Sequence, residues 1–288
     1  PHLIGWMVAT VSFSDLAAVG ATPLGLLVSE TLPPDLAEEY LNEIQKGVEE
    51  ACRACGSYVL GGDTNSGSAL ELTGCAVGII EGNDPLSRVG CHPGDSLYCS
   101  GPLGSGNAFA IGRLFSPRAR HPFAPNARVR EGQLIRQIAN ACMDTSDGAL
   151  ATLDQLMRVN GTGFQLDGRW GAALDAQAAG VAADAAIPAW LLLAGQHGEF
   201  ELLFTVGPER EAELLSRAAS VDWHPIRLGT VILRQEISLE VYGRTSHIGT
   251  ARIRNAAFTA RRSVEEYVHE LLSIDGELQK GEVHHGEQ

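Results

Sequence analysis

The sequence predicts an α+β protein of two domains. Its 288 residues amount to about two domains at roughly 150 residues each. Strand-like and helix-like segments intermix without strict β-α alternation, which points to mixed layers and away from a doubly wound parallel sheet. A turn-rich stretch, Pro85 to Asp95 with Gly90, Pro93 and Gly94, separates two blocks and places the boundary near residue 90.

The elements follow in order. Leu3 to Ala21 carries apolar residues at helical spacing and meets Gly20 and Pro23, a helix stop. Leu24 to Thr31 is short, apolar and strand-like. Pro34 and Asp35 open a helix whose apolar positions are Leu36, Tyr40, Leu41, Ile44 and Val48, closed by Gly56. Tyr58 to Leu60 forms a strand running into Gly61-Gly62-Asp63-Thr64, and a turn at residues 65–68 leads to a strand over Leu70 to Ile80. Past the boundary, a strand at Ser96 to Ser100 meets the glycine-rich 101–106 loop, and a helix follows through Phe109, Ile111 and Leu114 until Pro117 to Pro125 breaks it. Helices are expected over Val129 to Cys142, Ala149 to Val159 and Ala172 to Ala186. A strand is expected over Glu201 to Val206, a helix over Pro208 to Ala219 and a strand pair over 226–242. A final helix over Ser263 to Ser273 is capped by Ser263 with Glu266 three residues on. The domains are thus 1–90 and 91–275, with a polar tail at 276–288 that contains His284 and His285.

Composition excludes several classes. Apolar residues make up 44% and charged residues 19%, the balance of a folded chain. The formal net charge of −14 repels phosphodiester backbones and anionic lipid, so neither nucleic acid nor a membrane surface is an expected partner. No apolar run approaches the roughly 18–20 residues of a membrane span. The chain begins at Pro1 without an initiator methionine or signal segment, which reads as a cut end. Six scattered cysteines read as reduced thiols of a cytoplasmic protein. Cys52 and Cys55 have CxxC spacing but no second pair to complete a zinc site, and Cys at a helix end packs as a small apolar group.

The chemistry-bearing residues are acidic ones beside glycine-containing turns: Asp15 in Ser14-Asp15-Leu16, Asp63 after Gly61-Gly62, and Asp144 and Asp147 in Asp144-Thr145-Ser146-Asp147-Gly148. Paired glycines before a strand-end carboxylate leave the backbone open to a ligand. Asp144 and Asp147, three apart across a turn, can face one side. Their mutual repulsion is relieved by a divalent cation, and an oxygen-only donor set favours Mg²⁺. Each has a structural alternative as well: Asp147 as a helix N-cap, Asp63 in an Asx turn, Asp15 as a solvated helix acid. The Gly101-Pro102-Leu103-Gly104-Ser105-Gly106 loop suits an anion at a helix start but is neither a Walker loop nor a dinucleotide fingerprint. Arg88 is a candidate phosphate clamp or a solvated arginine.

Five motifs in order resemble the thiamine-monophosphate kinase family, within the wider aminoimidazole ribonucleotide synthetase-like superfamily. Ser14-Asp15-Leu16-Ala17-Ala18-Val19-Gly20 with Pro23 resembles S-D-L-A-A-M-G-x-x-P, and Gly61-Gly62-Asp63-Thr64 matches G-G-D-T. Arg88-Val89-Gly90 with Gly94-Asp95 and Ser100-Gly101 is similar to R-x-G-A-x-x-G-D followed by S-G. Residues 144–148 resemble D-x-S-D-G, and Gly198-Glu199-Phe200-Glu201-Leu202-Leu203-Phe204 resembles the end of G-G-E-D-Y-E-L-L-F. The resemblance implies an N-terminal ATP- and metal-binding domain that pairs in a homodimer through a shared β-barrel. It implies Mg²⁺ held by Asp15, Asp63, Asp144 and Asp147, with Ser146 and Asp147 as catalytic residues. ATP contacts would come from Arg88, Gly61, Gly62, Thr64 and Ser146. The implied reaction moves a phosphoryl group from ATP to thiamine monophosphate without a general base, since the acceptor phosphate is already an anion. The family's acidic G-D-D-A-A and T-D segments would precede Ser14 by some tens of residues, and only thirteen residues stand there. Gln196-His197-Gly198-Glu199-Phe200-Glu201 also departs from G-G-E-D-Y-E. These departures leave two alternatives: another ATP-dependent enzyme of the superfamily with a different small-molecule acceptor, or a nucleotide-binding protein without turnover.

Overall fold

A computed structural model describes residues 1–82, 84–115, 122–259 and 264–281. The chain runs α1 (His2–Ala18), β1 (Thr22–Leu32), α2 (Glu38–Ala54), β2 (Val59–Ser66), β3 (Glu71–Ile79), β4 (Ser96–Cys99), α3 (Ser105–Leu114) and α4 (Val129–Ile135). It continues with β5 (Ala141–Asp144), α5 (Ala149–Asn160), β6 (Gly163–Leu166), α6 (Ala176–Asp184), α7 (Leu191–Ala194) and β7 (Leu202–Val206). The last elements are α8 (Glu211–Ala219), β8 (Ile226–Ile232), β9 (Ile237–Val241), β10 (Arg244–His247), α9 (Thr250–Thr259) and α10 (Val264–Lys280). Two compact units result, one of residues 1–87 with 124–137, the other of residues 88–123 with 138–288.

The first unit is a three-stranded sheet in the order β2-β1-β3, with α1 and α2 packed together. Its core is Ala9, Phe13, Leu26 and Ile44, all fully buried. The helices approach backbone to backbone because two glycines meet the contact: a Cβ on Gly5 would lie 1.8 Å from the Ile44 carbonyl oxygen, and one on Gly47 2.0 Å from that of His2. β1 is central, parallel to β2 and antiparallel to β3. The turn at residues 65–68 therefore leads β3 to the far side of β1, not into a hairpin with β2. Among the described residues the sheet is open. Its alternation leaves Leu26 and Val28 inside while Leu27 of β1 and Cys75, Val77 and Ile79 of β3 face outward and are exposed. Cys52 and Cys55 pack at the end of α2, where burial pushes their thiols up to about 11 and about 12.

Residues 124–137 join this unit although they follow the second unit's first elements. Trp6 and Thr10 of α1 donate to the Pro125 carbonyl, Gln133 donates to that of Ala21, and Gly132 fits against Ala17 where a Cβ would come within 2.1 Å of its oxygen.

The second unit is a seven-stranded mixed sheet, β10-β9-β6-β8-β4-β7-β5, antiparallel except between β6 and β9. Its core gathers Leu97, Leu150, Leu153, Phe164, Trp190 and Leu203. The helix expected over 129–142 stops at Ile135, and Ala141–Asp144 is the edge strand β5, wholly buried and paired residue by residue with β7. Helical propensity loses here to a strand edge that needed a partner. The expected strand pair over 226–242 also divides differently: β8 pairs β4 and β6, while β9 pairs β10 and β6. The last helix runs to Lys280, past the expected end at 273 and through the first residues of the expected tail; Asp275 anchors it by accepting from Trp190 Nε1 and the Tyr242 hydroxyl, both at 2.6 Å. Ser263 and the His284–His285 pair lie outside the described residues.

Replacement of Gly47 by alanine forces a methyl group against the His2 carbonyl and should cost roughly 1–3 kcal/mol or more of stability. Urea unfolding of the wild type and Gly47→Ala checks this; equal midpoints would show that the helix contact relaxes freely.

Candidate active site

In the first unit the double glycine shapes the binding surface. β2 adjoins β1 so closely that a Cβ on Gly62 would lie 1.7 Å from the Val28 carbonyl oxygen, and Gly61 has a φ of +152°. Bare backbone there opens a cavity of about 320 Å³ lined by Val28, Glu30, Gln45, Gly61, Asp63 and Thr64, among others. Glu30, buried, accepts from Gln45 Nε2 at 3.2 Å and from the Thr64 hydroxyl at 3.4 Å. Sequence reasoning missed Glu30 and Gln45; the one signal was a lone acid inside the apolar β1 run. Asp63 is exposed and accepts from Asn65 Nδ2 at 2.7 Å. That contact orders its carboxylate and leaves acceptor capacity for a further ligand. Asp15 is exposed on the last turn of α1. Asp63 pairs with Ser29, and Ser29 with Thr73, beside the Gly74 on which Ser12 of α1 packs. Asp15 and Asp63 therefore belong to one unit, two strands apart.

In the second unit β5 delivers Asp144 to the end of the sheet, and the turn to α5 carries Ser146 and Asp147. Asp144 is buried, Ser146 half-buried and Asp147 exposed. Gly148, at φ +91°, is the N-cap of α5, and a Cβ there would come 2.1 Å from the Gly195 carbonyl oxygen. The cap position thus belongs to glycine and not to Asp147, whose carboxylate remains available. Arg88 is exposed, and its guanidinium makes no ion pair with a described residue. Its backbone is fixed: Asn160 Nδ2 donates to the Arg88 carbonyl at 2.8 Å, while Asn160 Oδ1 accepts from Gly90 and Cys91 N–H.

The segment 197–202 locks this turn from behind. Gly198 lies against it so tightly that a Cβ would sit 1.5 Å from the Thr145 carbonyl oxygen. Glu199, buried, accepts from Gly104 N–H at 2.8 Å and from the Thr145 hydroxyl at 3.3 Å. Thr145 Oγ1 in turn accepts from Glu201 N–H, and the Ser100 hydroxyl donates to Glu201 Oε2 at 2.5 Å. Burial pushes Glu199 up to about 8, opposed by the Gly104 amide and reinforced by the Glu201 charge. His197 faces an apolar recess with Ile187, Leu191 and Tyr267, where burial lowers its pKa and keeps it neutral.

Among the described residues no three His, Cys, Asp or Glu side chains form a ready-made metal cluster. The structure groups Asp144, Ser146 and Asp147 on one turn of the second unit, lines the first unit's cavity with Gly61, Gly62, Asp63 and Thr64, and places Asp15 apart on α1.

Comparison with known proteins defines the class first. Residues 1–80 match the family model of the AIR synthase related protein, N-terminal domain, and the mixed α+β fold is shared with the hydrogenase maturation protein HypE of Escherichia coli (22% identical, TM-score 0.72, covering 86% of this chain and 79% of that one). Within that class, a thiamine-monophosphate kinase of Methanospirillum hungatei is 35% identical over 215 residues, 73% of this chain and 70% of the relative. That of Escherichia coli K12 is 31% identical over 217 residues, 72% of this chain and 65% of the relative. AaThiL, solved in complex with AMPPCP and TMP, is 25% identical with a TM-score of 0.71, covering 85% of this chain and 78% of that one. The chain belongs to the thiamine-monophosphate kinase family, a family of kinases.

A raised carboxyl pKa stabilises the fold most at low pH. Stability contributed by the neutral Glu199 is full below about 4.5, its ordinary value, and is lost as pH rises through about 8. Urea midpoints measured across pH 5 to 8 should therefore fall in the wild type and fall less in Glu199→Gln; parallel curves would show that Glu199 is ionised throughout.

Proposed function

We propose that this chain catalyses ATP- and Mg²⁺-dependent phosphoryl transfer to thiamine monophosphate, yielding thiamine diphosphate. The observation that carries the proposal is the cavity walled by Gly61, Gly62, Asp63 and Thr64, where the family's G-G-D-T stretch lines one concave surface of nucleotide-binding size. ATP is bound through Gly61, Gly62 and Thr64 there, and Ser146 and Arg88 are the second unit's own candidate donors to phosphate oxygens. The AaThiL complex, which holds an ATP analogue together with TMP, supports the pairing of these two substrates.

The donor set fits Mg²⁺. Asp15 and Asp63 in the first unit and Asp147 in the second are exposed carboxylates, none of these three is held by an arginine or lysine ion pair with a described residue, and Asp144 stands on the same turn as Asp147. Mg²⁺ usually takes one or two protein carboxylates and completes its shell with water and phosphate oxygens, so a cluster of three protein ligands is not required. When bound, it supplies charge neutralisation at the β- and γ-phosphate oxygens.

The protein's own residues then have positioning roles. Arg88, on a backbone pinned by Asn160, holds a phosphate without an internal partner competing for it. The Ser146 hydroxyl donates to the transferring group, and Asp147 lies beside it on the same turn. The acceptor phosphate is anionic at neutral pH and attacks in line, so proximity and charge placement carry the rate and no side chain need remove a proton.

The chain acts in the cytoplasm, in keeping with six free cysteines and with the absence, among the described residues, of any helix long and apolar enough to cross a membrane. It forms a homodimer through the outward face of the first unit's sheet. Leu27, Val77 and Ile79 are 42%, 37% and 51% exposed there, with Val59 and Leu60 exposed on the edge strand β2. An apolar sheet face of this kind is covered most simply by its own copy across a two-fold axis, closing two open sheets into one barrel. A second reading retains ATP and changes the acceptor; the departure at Gln196–Gly198, which places His197 in the apolar recess, favours it.

Purified chain with ATP, Mg²⁺ and thiamine monophosphate should form thiamine diphosphate, read by chromatography. Asp63→Asn should lower turnover by about two orders of magnitude or more with an unchanged circular dichroism spectrum. ATP consumption only with another acceptor would transfer the assignment to the second reading, and full activity of Asp63→Asn would remove Asp63 from the metal site. For the oligomer, sedimentation should show a dimer for the wild type and a monomer for Val77→Asp; a monomeric wild type would overturn the barrel.

A further inference from the structure

Glu199 costs the fold something that an apolar side chain would not. It is a buried carboxyl, with a second buried carboxyl, Glu201, two residues away, whose charge adds to the cost of ionising it. Phe200 between them adopts φ +63°, a left-handed conformation that is strained for a bulky residue. Both costs concentrate on one short segment, and that segment touches two loops at once.

On one side Glu199 Oε2 accepts from Gly104 N–H, the N-cap position of α3 in the glycine-rich 101–106 loop, where Gly104 itself has φ +93°. On the other side the Thr145 hydroxyl, inside the Asp144–Asp147 turn, donates to Oε1. The surrounding glycines allow no slack: a Cβ on Gly106 would lie 2.3 Å from the His197 carbonyl oxygen, and one on Gly198 1.5 Å from that of Thr145. Glu201 repeats the arrangement one step behind. Its N–H donates to Thr145 Oγ1, its carboxylate accepts from Ser100, and the Ser100 hydroxyl oxygen accepts from Leu202 N–H. Glu199 and Glu201 thus tie the glycine-rich loop and the strand feeding it to the acidic turn.

We propose that Glu199 is a positioning residue for phosphoryl transfer, clamping the Gly101–Gly106 loop to the Asp144–Asp147 turn so that Ser146 and Asp147 are held in register with the amides of the loop. This inference rests on the kinase reading above for its catalytic consequence, and on the hydrogen bonds alone for the clamp. Glu199 does not itself touch substrate. Its neutral form and a glutamine have the same shape, and the glutamine amide can donate to Thr145 Oγ1 while its carbonyl accepts from Gly104. Aspartate, one methylene shorter, cannot span both partners, and alanine reaches neither.

The test compares wild type, Glu199→Gln, Glu199→Asp and Glu199→Ala in the full chain. It reads steady-state kcat and KM for ATP and thiamine monophosphate, together with hydrogen–deuterium exchange of peptides covering 101–106 and 143–148. The clamp predicts that glutamine stays within about threefold of wild-type kcat with both peptides protected. It predicts that aspartate and alanine lose about tenfold or more in kcat, as expected for a small misplacement of reacting groups, while both peptides exchange faster. Should alanine fail to fold, the aspartate variant carries the comparison. Faster exchange with unchanged kcat would reduce Glu199 to a structural residue, and a lost kcat with unchanged exchange would make it a substrate contact; either overturns the proposal. If the wild type itself does not turn over, the kinase reading fails separately, and unaltered exchange in the aspartate variant would still overturn the clamp.

Discussion

The pairing of β5 with β7 is the constraint on which the second unit's chemistry depends. It sets Asp144 opposite Leu202, and so places the acidic turn that follows β5 beside the segment that precedes β7. With that register in place, Gly198 must meet the Thr145 carbonyl, and Glu199 must find its partners in the turn and in the glycine-rich loop. A one-residue slip would turn Asp144 and Cys142 to the opposite face and dissolve each of these contacts. The edge position of β5 makes the register more dependent on its single neighbour.

Glycine performs a related task in both units, by letting backbone lie against backbone. Gly62 brings β2 onto β1 and leaves a stretch of bare backbone in a concave surface; Gly148 and Gly198 bring a turn against two loops. The two results differ in kind. In the first unit the approach creates room, a cavity bordered by Asp63 and Thr64. In the second it removes room, so that side chains on the turn have few alternative positions. A binding surface needs the former, and the alignment of reacting groups needs the latter.

The buried polar groups divide along similar lines. Asp154, Asp275 and Glu30 each accept from several side chains and secure helices or a strand. Glu199 accepts from a backbone amide and a hydroxyl, an arrangement that fixes two loops without a cation. The net charge of −14 offers no basic surface to attract a phosphate, so on the proposed reading that attraction is local, from Arg88, backbone amides and Mg²⁺.

Much of the local structure could be read from the chain alone. Apolar spacing and glycine stops marked α1, α2, β1 and α5 to within a few residues, because each carries its own period and its own termination signal. The acidic residues beside glycine turns, and the ordered motifs containing them, were also readable, since they depend on residue type and sequence distance. Strand order was not. That β1 lies between β2 and β3, that residues 124–137 return to the first unit, and that Ala141–Asp144 is a strand are settled by which edges and faces remain to be filled once the other elements have packed. Glu30, Gln45 and the clamp at Glu199 were hidden for the same reason: their partners lie tens of residues away, and only tertiary contact gives a lone buried acid its meaning.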